Sequence, residues 1–488
     1  MVYKKITILT LLASLLVSIS SAWADSSEPG SERPNILLVL TDDQGYADVG
    51  FNNYKTDIQT PSLDALANDG MVFSSAYVAH PFCGPSRAAL MTGRYPHKIG
   101  SQFNLPVNGS STGIDVKEQF ISKTLQQSGY FTGAIGKWHL GEEQPYHPNS
   151  RGFDEFYGFL GGGHKYFPSE YRPQYERLRK QGLQRLNDYI TPLEYNGKEV
   201  RETEYITDAL SREAVNFINK AAEKKDQPFF LYLAYNAPHV PLEATEEDLA
   251  KFSHIKDKKR RTYAAMVWSV DRGLQNIVST LKANKQFDNT LIVFLSDNGG
   301  KVSRGGVNKP LREGKGSAHE GGHRVPMMMH WPNGLKETGT YAYPVSALDL
   351  YPTFVNLANA TLPAGKTLDG KDIWPSVITD ENVRAGESLF LMRHRLGAHD
   401  VSVRRDQFKA VRTKASGRWQ LFDVENDIGE QHDLSAKHPQ LLADMIRDVA
   451  HWSWSNVPPR WFHIHEEGDQ WRQHDMPRFS ETFKIESK

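Results

Sequence analysis

Only one cysteine, Cys83, occurs among the 488 residues. No disulfide can form within such a chain, so a large apolar core must supply the stability that small exported domains draw from cross-links. Charge of one sign is equally scarce, because 57 basic side chains face 58 acidic ones. That balance excludes the strongly basic footprint of a nucleic-acid-binding protein. Past the N-terminus no apolar run approaches the roughly 20 residues that a membrane-spanning helix requires, and no repeat or low-complexity tract stands out.

The N-terminus itself is distinctive. MVYKK is a basic start, ITILTLLASLLVSI is a short apolar run, and SAWA supplies small residues before Asp25. This is the pattern of a secretory signal peptide over residues 1–24. The expectation is a soluble protein without a membrane anchor, exported to the periplasm or secreted. With 39% hydrophobic and 24% charged residues, the rest reads as globular, with a main domain over 25–375 and a smaller subdomain with an aromatic tail over 376–488.

Several short apolar runs end in polar residues suited to chemistry. NILLVL (35–40) runs into TDDQG, TGAIG (132–136) into KWHLG, FFLYLAY (229–235) into NAPH, and LIVFL (291–295) into SDNGG. Continuous β-rich runs of this length suit strands buried on both faces of a parallel sheet. Helical patterns separate them, at 60–70, 118–129, 206–222 and 264–284. The expected fold class is α/β, a large mixed and mostly parallel sheet sandwiched by helices, with a smaller C-terminal α+β subdomain. In such folds ligands bind beyond the carboxyl ends of the strands, where all four polar clusters would sit. The basic run IKDKKRR (255–261) reads as a solvated helix or loop face, with an anionic polymer as the minority reading.

Asp42 and Asp43 are adjacent carboxylates after a buried strand, and they repel unless a cation or hydrogen-bond donors compensate. Asp297 and Asn298 repeat the arrangement with a carboxylate and an amide oxygen. Two oxygen-rich strand ends favour a hard divalent cation over a helix cap and a turn. Lys137 and His139 alternate about Trp138, His239 follows Pro238, and Lys315 lies in the glycine-rich REGKGSAHEGG. These cations beside a possible metal site favour an anion-binding pocket. Cys83 precedes Pro85 and Ser86, which suit the first turn of a helix through RAALMTGR.

CGPSRAALMTGR and TGAIGKWHLG, together with TDDQG, APH, SDNGG and REGKGSAHEGGHRVP, resemble the signature, metal and sulfate-binding segments of the type I sulfatases of the alkaline phosphatase superfamily. The likeness extends over nearly the whole chain after the signal peptide. It implies that a maturation enzyme, reading Cys83, Pro85 and Arg87, oxidises Cys83 to formylglycine. It further implies one Ca²⁺ held by Asp42, Asp43, Asp297 and Asn298, with residue 83 beside it. A geminal hydroxyl of the hydrated aldehyde would attack sulfur, and the second hydroxyl would allow the sulfate to be eliminated. Lys137, Lys315 and His239 would surround the sulfate, with His239 as general acid (shared with Lys315), His139 as base, and Arg87 steadying the hydrate.

The expected activity is hydrolysis of sulfate esters on an exported polysaccharide or oligosaccharide. His164 and Lys165 in GGGHKYF, with Arg393 and His394 in LMRHR, are candidates for the substrate mouth. The alternatives are a formylglycine-dependent phosphonate or phosphodiester hydrolase and a catalytically silent binder of sulfated glycans. Nothing in the sequence assigns an oligomeric state.

Overall fold

The computed structural model describes residues 33–54, 56–106, 111–183, 186–395, 398–413, 417–474 and Phe479, and the predicted signal peptide over 1–24 lies outside them. Ten strands form the main sheet, in the spatial order 339–341, 71–73, 327–330, 290–296, 35–41, 229–234, 131–137, 155–159, 194–195 and 198–199. The five strands from Thr290–Ser296 to Glu155–Phe159 run parallel, and antiparallel partners are confined to the flanks.

The central strands are buried on both faces, as continuous apolar runs require. In Asn35–Thr41, Ile36, Leu38 and Leu40 enter one core while Leu37 and Val39 enter the other. The strands Phe229–Ala234 and Thr290–Ser296 alternate in the same way. This period-two division follows from the pleat, and it makes the sheet the middle layer of a sandwich. One outer layer includes the helices Pro61–Asn68, Ile206–Glu223 and Lys258–Ala283. The other includes Cys83–Thr92, Ile121–Gln127 and Leu350–Leu357.

A second, antiparallel sheet runs in chain order through Ser388–Arg395, Ala398–Arg405, Phe408–Arg412 and Gln420–Asp423. Its Met392, Val401, Val403, Ala410 and Leu421 pack on Met445, Ile446 and Val449 of the helix Pro439–Ser453. Ala79, Ala89 and Tyr95 share that cluster, so the small sheet leans on the segment around Cys83. In the tail, Trp461 and Trp471 join the main core, where the Trp461 indole donates to the Phe103 carbonyl at 2.9 Å, while Trp454 is 64% exposed. Among the described residues no helix is long and apolar enough to cross a membrane.

Candidate active site

Parallel register brings the strand ends level. Thr41 pairs with Ser296, Leu40 with Ala234, Gly136 with Ala234, and Lys137 with Phe159. Asp42–Asp43, Asp297–Asn298, Lys137–His139 and the Ala237–His239 turn therefore emerge along one rim. The crossing is tied by Asp42 N donating to the Ala237 carbonyl at 3.1 Å and Asp297 N to the Thr41 carbonyl at 2.9 Å. Asp43 and His139 both take φ 63°, a left-handed geometry that redirects the chain as it leaves each strand.

Cys83 opens the helix Cys83–Thr92, all of whose residues are buried. Arg87 is one turn further on, on the same face. Its Nε donates to Asp297 Oδ2 at 2.9 Å, Nη2 lies 2.9 Å from the same oxygen and 3.6 Å from Asp42 Oδ2, and Nη1 donates to the Lys137 carbonyl at 3.0 Å. The helix start is held from the other side by Asn104, whose Oδ1 accepts from Gly84 N at 3.0 Å and lies 3.9 Å from the Cys83 sulfur. The approach is close: a Cβ on Gly84 would come within 2.8 Å of that Oδ1, so a larger residue would have to displace the Asn104 amide.

Three cations face three carboxylates in a space almost closed to water. Lys137 Nζ sits 2.5 Å from Asp42 Oδ2, and Lys315 Nζ donates to Asp43 Oδ1 at 2.5 Å. Burial opposes ionisation of Asp42, yet the charges of Lys137, Arg87 and Lys315 outweigh it and hold the carboxyl well below its ordinary value. Asp297, equally buried and beside Asp42, is pushed up instead. Lys137 and Lys315 keep their protons against burial because Asp42 and Asp43 face them. Burial also pushes the Cys83 thiol up, an effect that Lys137 and Lys315 only moderate. A thiol held protonated is a poor nucleophile.

Burial favours the neutral form of both histidines. Burial lowers His239 to about 4 despite Asp42 and Asp43. Its Nδ1 lies 2.8 Å from the Val240 carbonyl, which fixes the proton there and leaves the Nε2 lone pair 3.7 Å from Asp43 Oδ2. His139 is held well below its ordinary value by burial and by Lys137. Its Nε2 would be only 2.8 Å from a Cβ at position 162, so the run Gly161–Gly163 lets another loop close over the ring.

The donor set suits a hard divalent cation. Asp42, Asp43 and His239 offer atoms within 4.8 Å of one another, as do Asp42, Cys83 and Asp297. The buried Asp42 Oδ1 and Asn298 Oδ1 have no hydrogen-bond partner in the protein. Burying such oxygens without a partner is costly, and oxygen-rich sets of this kind match Ca²⁺ or Mg²⁺.

Ten residues named from the sequence thus converge: Asp42, Asp43, Cys83, Arg87, Lys137, His139, His239, Asp297, Asn298 and Lys315. Of the four mouth candidates, Arg393 reaches this neighbourhood. Its guanidinium lies 4.7 Å from the Phe82 ring centroid and donates to the Gly316 carbonyl. Lys165 is partly exposed and pairs with Glu170 at 3.7 Å. His164 and His394 are corrections. His164 is fully buried against Phe159 and Tyr171, with each ring nitrogen 2.5 Å from a backbone carbonyl. His394 packs among His97, Phe103 and Trp471, with its Nδ1 2.9 Å from that of His399. Asn104, Tyr232 against Arg87 at 3.4 Å, and Tyr189, whose ring centroid is 6.4 Å from that of His239, escaped the sequence reading.

Comparison with known proteins agrees with this geometry. Residues 34–360 match the family model described as sulfatase, and residues 314–451 match that of the N-sulphoglucosamine sulphohydrolase C-terminal region. Arylsulfatase J of Mus musculus is 34% identical over 90% of this chain and 78% of its own. The uncharacterized sulfatase YdeN of Escherichia coli K12 is 30% identical over 88% of this chain and 86% of its own. Ps i-CgsB, solved in complex with k-i-k-neocarrahexaose, superposes with a TM-score of 0.90 at 58% identity, over 92% of this chain and 98% of its own. The chain belongs to the sulfatase family and is a sulfate-ester hydrolase.

Proposed function

We propose that this protein is an exported sulfatase that removes sulfate esters from a sulfated galactan of the kind from which neocarrahexaose derives, using formylglycine at position 83 and one bound Ca²⁺. The observation that carries the reading is the meeting of four strand ends with the first turn of the Cys83–Thr92 helix, which surrounds one buried thiol with three carboxylates and three cations. The carbohydrate class is supported by the likeness to Ps i-CgsB. Export is supported by the composition of residues 1–24, and formylglycine by the run CGPSR and by a thiol whose surroundings keep it protonated.

Asp42, Asp43, Asp297 and Asn298 would hold the cation, which supplies charge neutralisation at the sulfate oxygens when bound. The aldehyde at position 83, once it has added water, would supply a geminal hydroxyl as the nucleophile, which a thiol does not. Arg87, fixed by Asp297 and the Lys137 carbonyl, orients residue 83 toward the rim. Lys137 and Lys315 bind the sulfate oxygens as preorganised charges in a dry site, where such charges act most strongly. His139, neutral and buried, accepts a proton from the group at position 83. His239 presents Nε2 to the leaving oxygen and hands over the proton that it takes up as the anionic ester enters. Lys315 is the second donor.

Incubation of matured protein with a panel of sulfated galactan and glycosaminoglycan oligosaccharides, with product mapping by mass spectrometry, tests the reading. Loss of sulfate from the galactans is expected. Turnover of aryl esters alone would contradict the assigned substrate class.

A further inference from the structure

The run IKDKKRR does not lie at the active site. Its basic residues open the helix Lys258–Ala283, and no acidic residue occupies the first turn of that helix. Cations at a helix N-terminus face the positive end of the macrodipole, where anionic side chains are favoured. This placement costs stability and concentrates positive potential. A second basic segment, Lys301–Lys309, lies against the first. Arg260 donates from Nη1 to the Gly305 carbonyl at 2.9 Å, and a Cβ on Gly305 would stand 3.1 Å from the Lys259 carbonyl oxygen.

Between the two segments runs a groove of 770 Å³, with Lys259, Lys309 and Tyr54 in its lining. Arg260 is neutralised there by Asp48 and Asp57, and Asp257 caps the helix. Lys259 and Lys309 in the lining, and Lys258, Lys301 and Arg304 beside it in the two segments, have no ion-pair partner among the described residues, and all but the half-buried Lys301 are exposed. In a chain of almost balanced charge, this is a local field for an anion. The groove also connects to the active site through the chain. The loop that walls it begins just after Asn298 and ends at Lys315. That loop is closed on itself by Gly300 N donating to Asn308 Oδ1 at 2.8 Å and Lys315 N donating to the Gly300 carbonyl at 3.2 Å.

We propose that this groove is a non-catalytic docking surface for sulfate groups on a second stretch of the polysaccharide whose ester occupies the active site, with the exposed cations binding the sulfates and Tyr54 offering a ring to a sugar. The inference builds on the substrate class proposed above. A second contact raises the local concentration of polymer at the active site without touching the chemistry, and it leaves short substrates unaffected.

The test compares wild type with the triple variant Lys259→Ser, Arg304→Ser, Lys309→Ser on a sulfated hexasaccharide and on the long carrageenan polymer of the same repeat, as a function of salt. All three positions are exposed and Lys259 sits at the positive end of a helix, so a melting temperature equal to or slightly above that of wild type is expected. The polymer KM should rise about tenfold and lose much of its salt dependence, with kcat and the hexasaccharide KM unchanged. An unchanged polymer KM, or equal shifts for polymer and hexasaccharide, would overturn the docking surface. Wild type that turns over neither substrate would overturn the substrate class and the groove together.

Discussion

Arg87 reaches Asp297 Oδ2 with both Nε and Nη2, each at 2.9 Å, and neither side chain is more than 1% exposed. The pair joins the helix that carries Cys83 to the strand end that carries Asp297 and Asn298. A buried ion pair that loses one member leaves an uncompensated charge. Arg87→Met should therefore lose about 3–5 kcal/mol of stability and all activity, measured by denaturant unfolding and turnover. Arg87→Lys should recover part of the stability while leaving activity low, because an ammonium cannot span Asp297 and the Lys137 carbonyl as a guanidinium does.

Removal of divalent cations should destabilise the protein. Asp42 is buried with a carboxylate oxygen within 4.8 Å of one from Asp43 and of one from Asp297, and a bound cation would relieve both the repulsion and the unpartnered Asp42 Oδ1. After chelation the melting temperature should fall, then climb with added Ca²⁺ as mass action requires. Asp43→Asn and Asn298→Ala should weaken the calcium response of the melting temperature.

The small sheet grips the Lys315 loop through a buried network. Lys409 Nζ lies 2.9 Å from Glu320 and 3.2 Å from Glu430, all three side chains being inaccessible, and Glu430 Oε2 accepts from Glu320 N at 2.8 Å. Lys409→Met removes the cation shared by the two carboxylates, leaving Glu320 to Arg324 at 3.1 Å and Glu430 beside His319 at 3.2 Å. Because Arg324 still compensates Glu320, the loss of stability should lie at the low end of the buried-pair range, about 3 kcal/mol. Lys315 lies five positions before Glu320, so KM for the sulfate ester should rise as well.

Asp271 offers a pH test away from the active site. Its carboxylate accepts from Leu63 N at 2.8 Å and Ser62 N at 3.0 Å, at the start of the helix Pro61–Asn68. Burial, only partly offset by those donors, pushes its pKa up to about 6 from an ordinary 3.8. A raised folded-state value means that the folded chain binds the proton more tightly. Stability from this group is therefore gained as pH falls through 6 toward 4 and lost as it rises. Asp271→Asn removes the titration, so the variant should lose ground to wild type by up to about 3 kcal/mol over that interval. The readout is the difference in unfolding free energy at pH 7, 6, 5 and 4.

The central architecture could be read from the sequence because its strands are buried on both faces and so appear as unbroken apolar runs. The polar residues at their carboxyl ends are forced to one rim, which is why Asp42, Lys137, His239 and Asp297 could be grouped without coordinates. The polar edge strands 194–195 and 198–199 carry no such signal. Asn104 lies in an irregular segment and acts through a contact with Gly84 that no spacing encodes. His164 and His394 were expected at the substrate mouth because a histidine next to a cation looks the same in sequence whether it faces solvent or core. The core packs both of them among aromatic rings.

The proposed chemistry turns on whether residue 83 is converted to formylglycine. Mass spectrometry of the peptide spanning Cys83 to Arg87, taken from protein produced with a formylglycine-generating enzyme and showing turnover, should find the aldehyde in place of the thiol. Unmodified cysteine throughout a fully active preparation would contradict it.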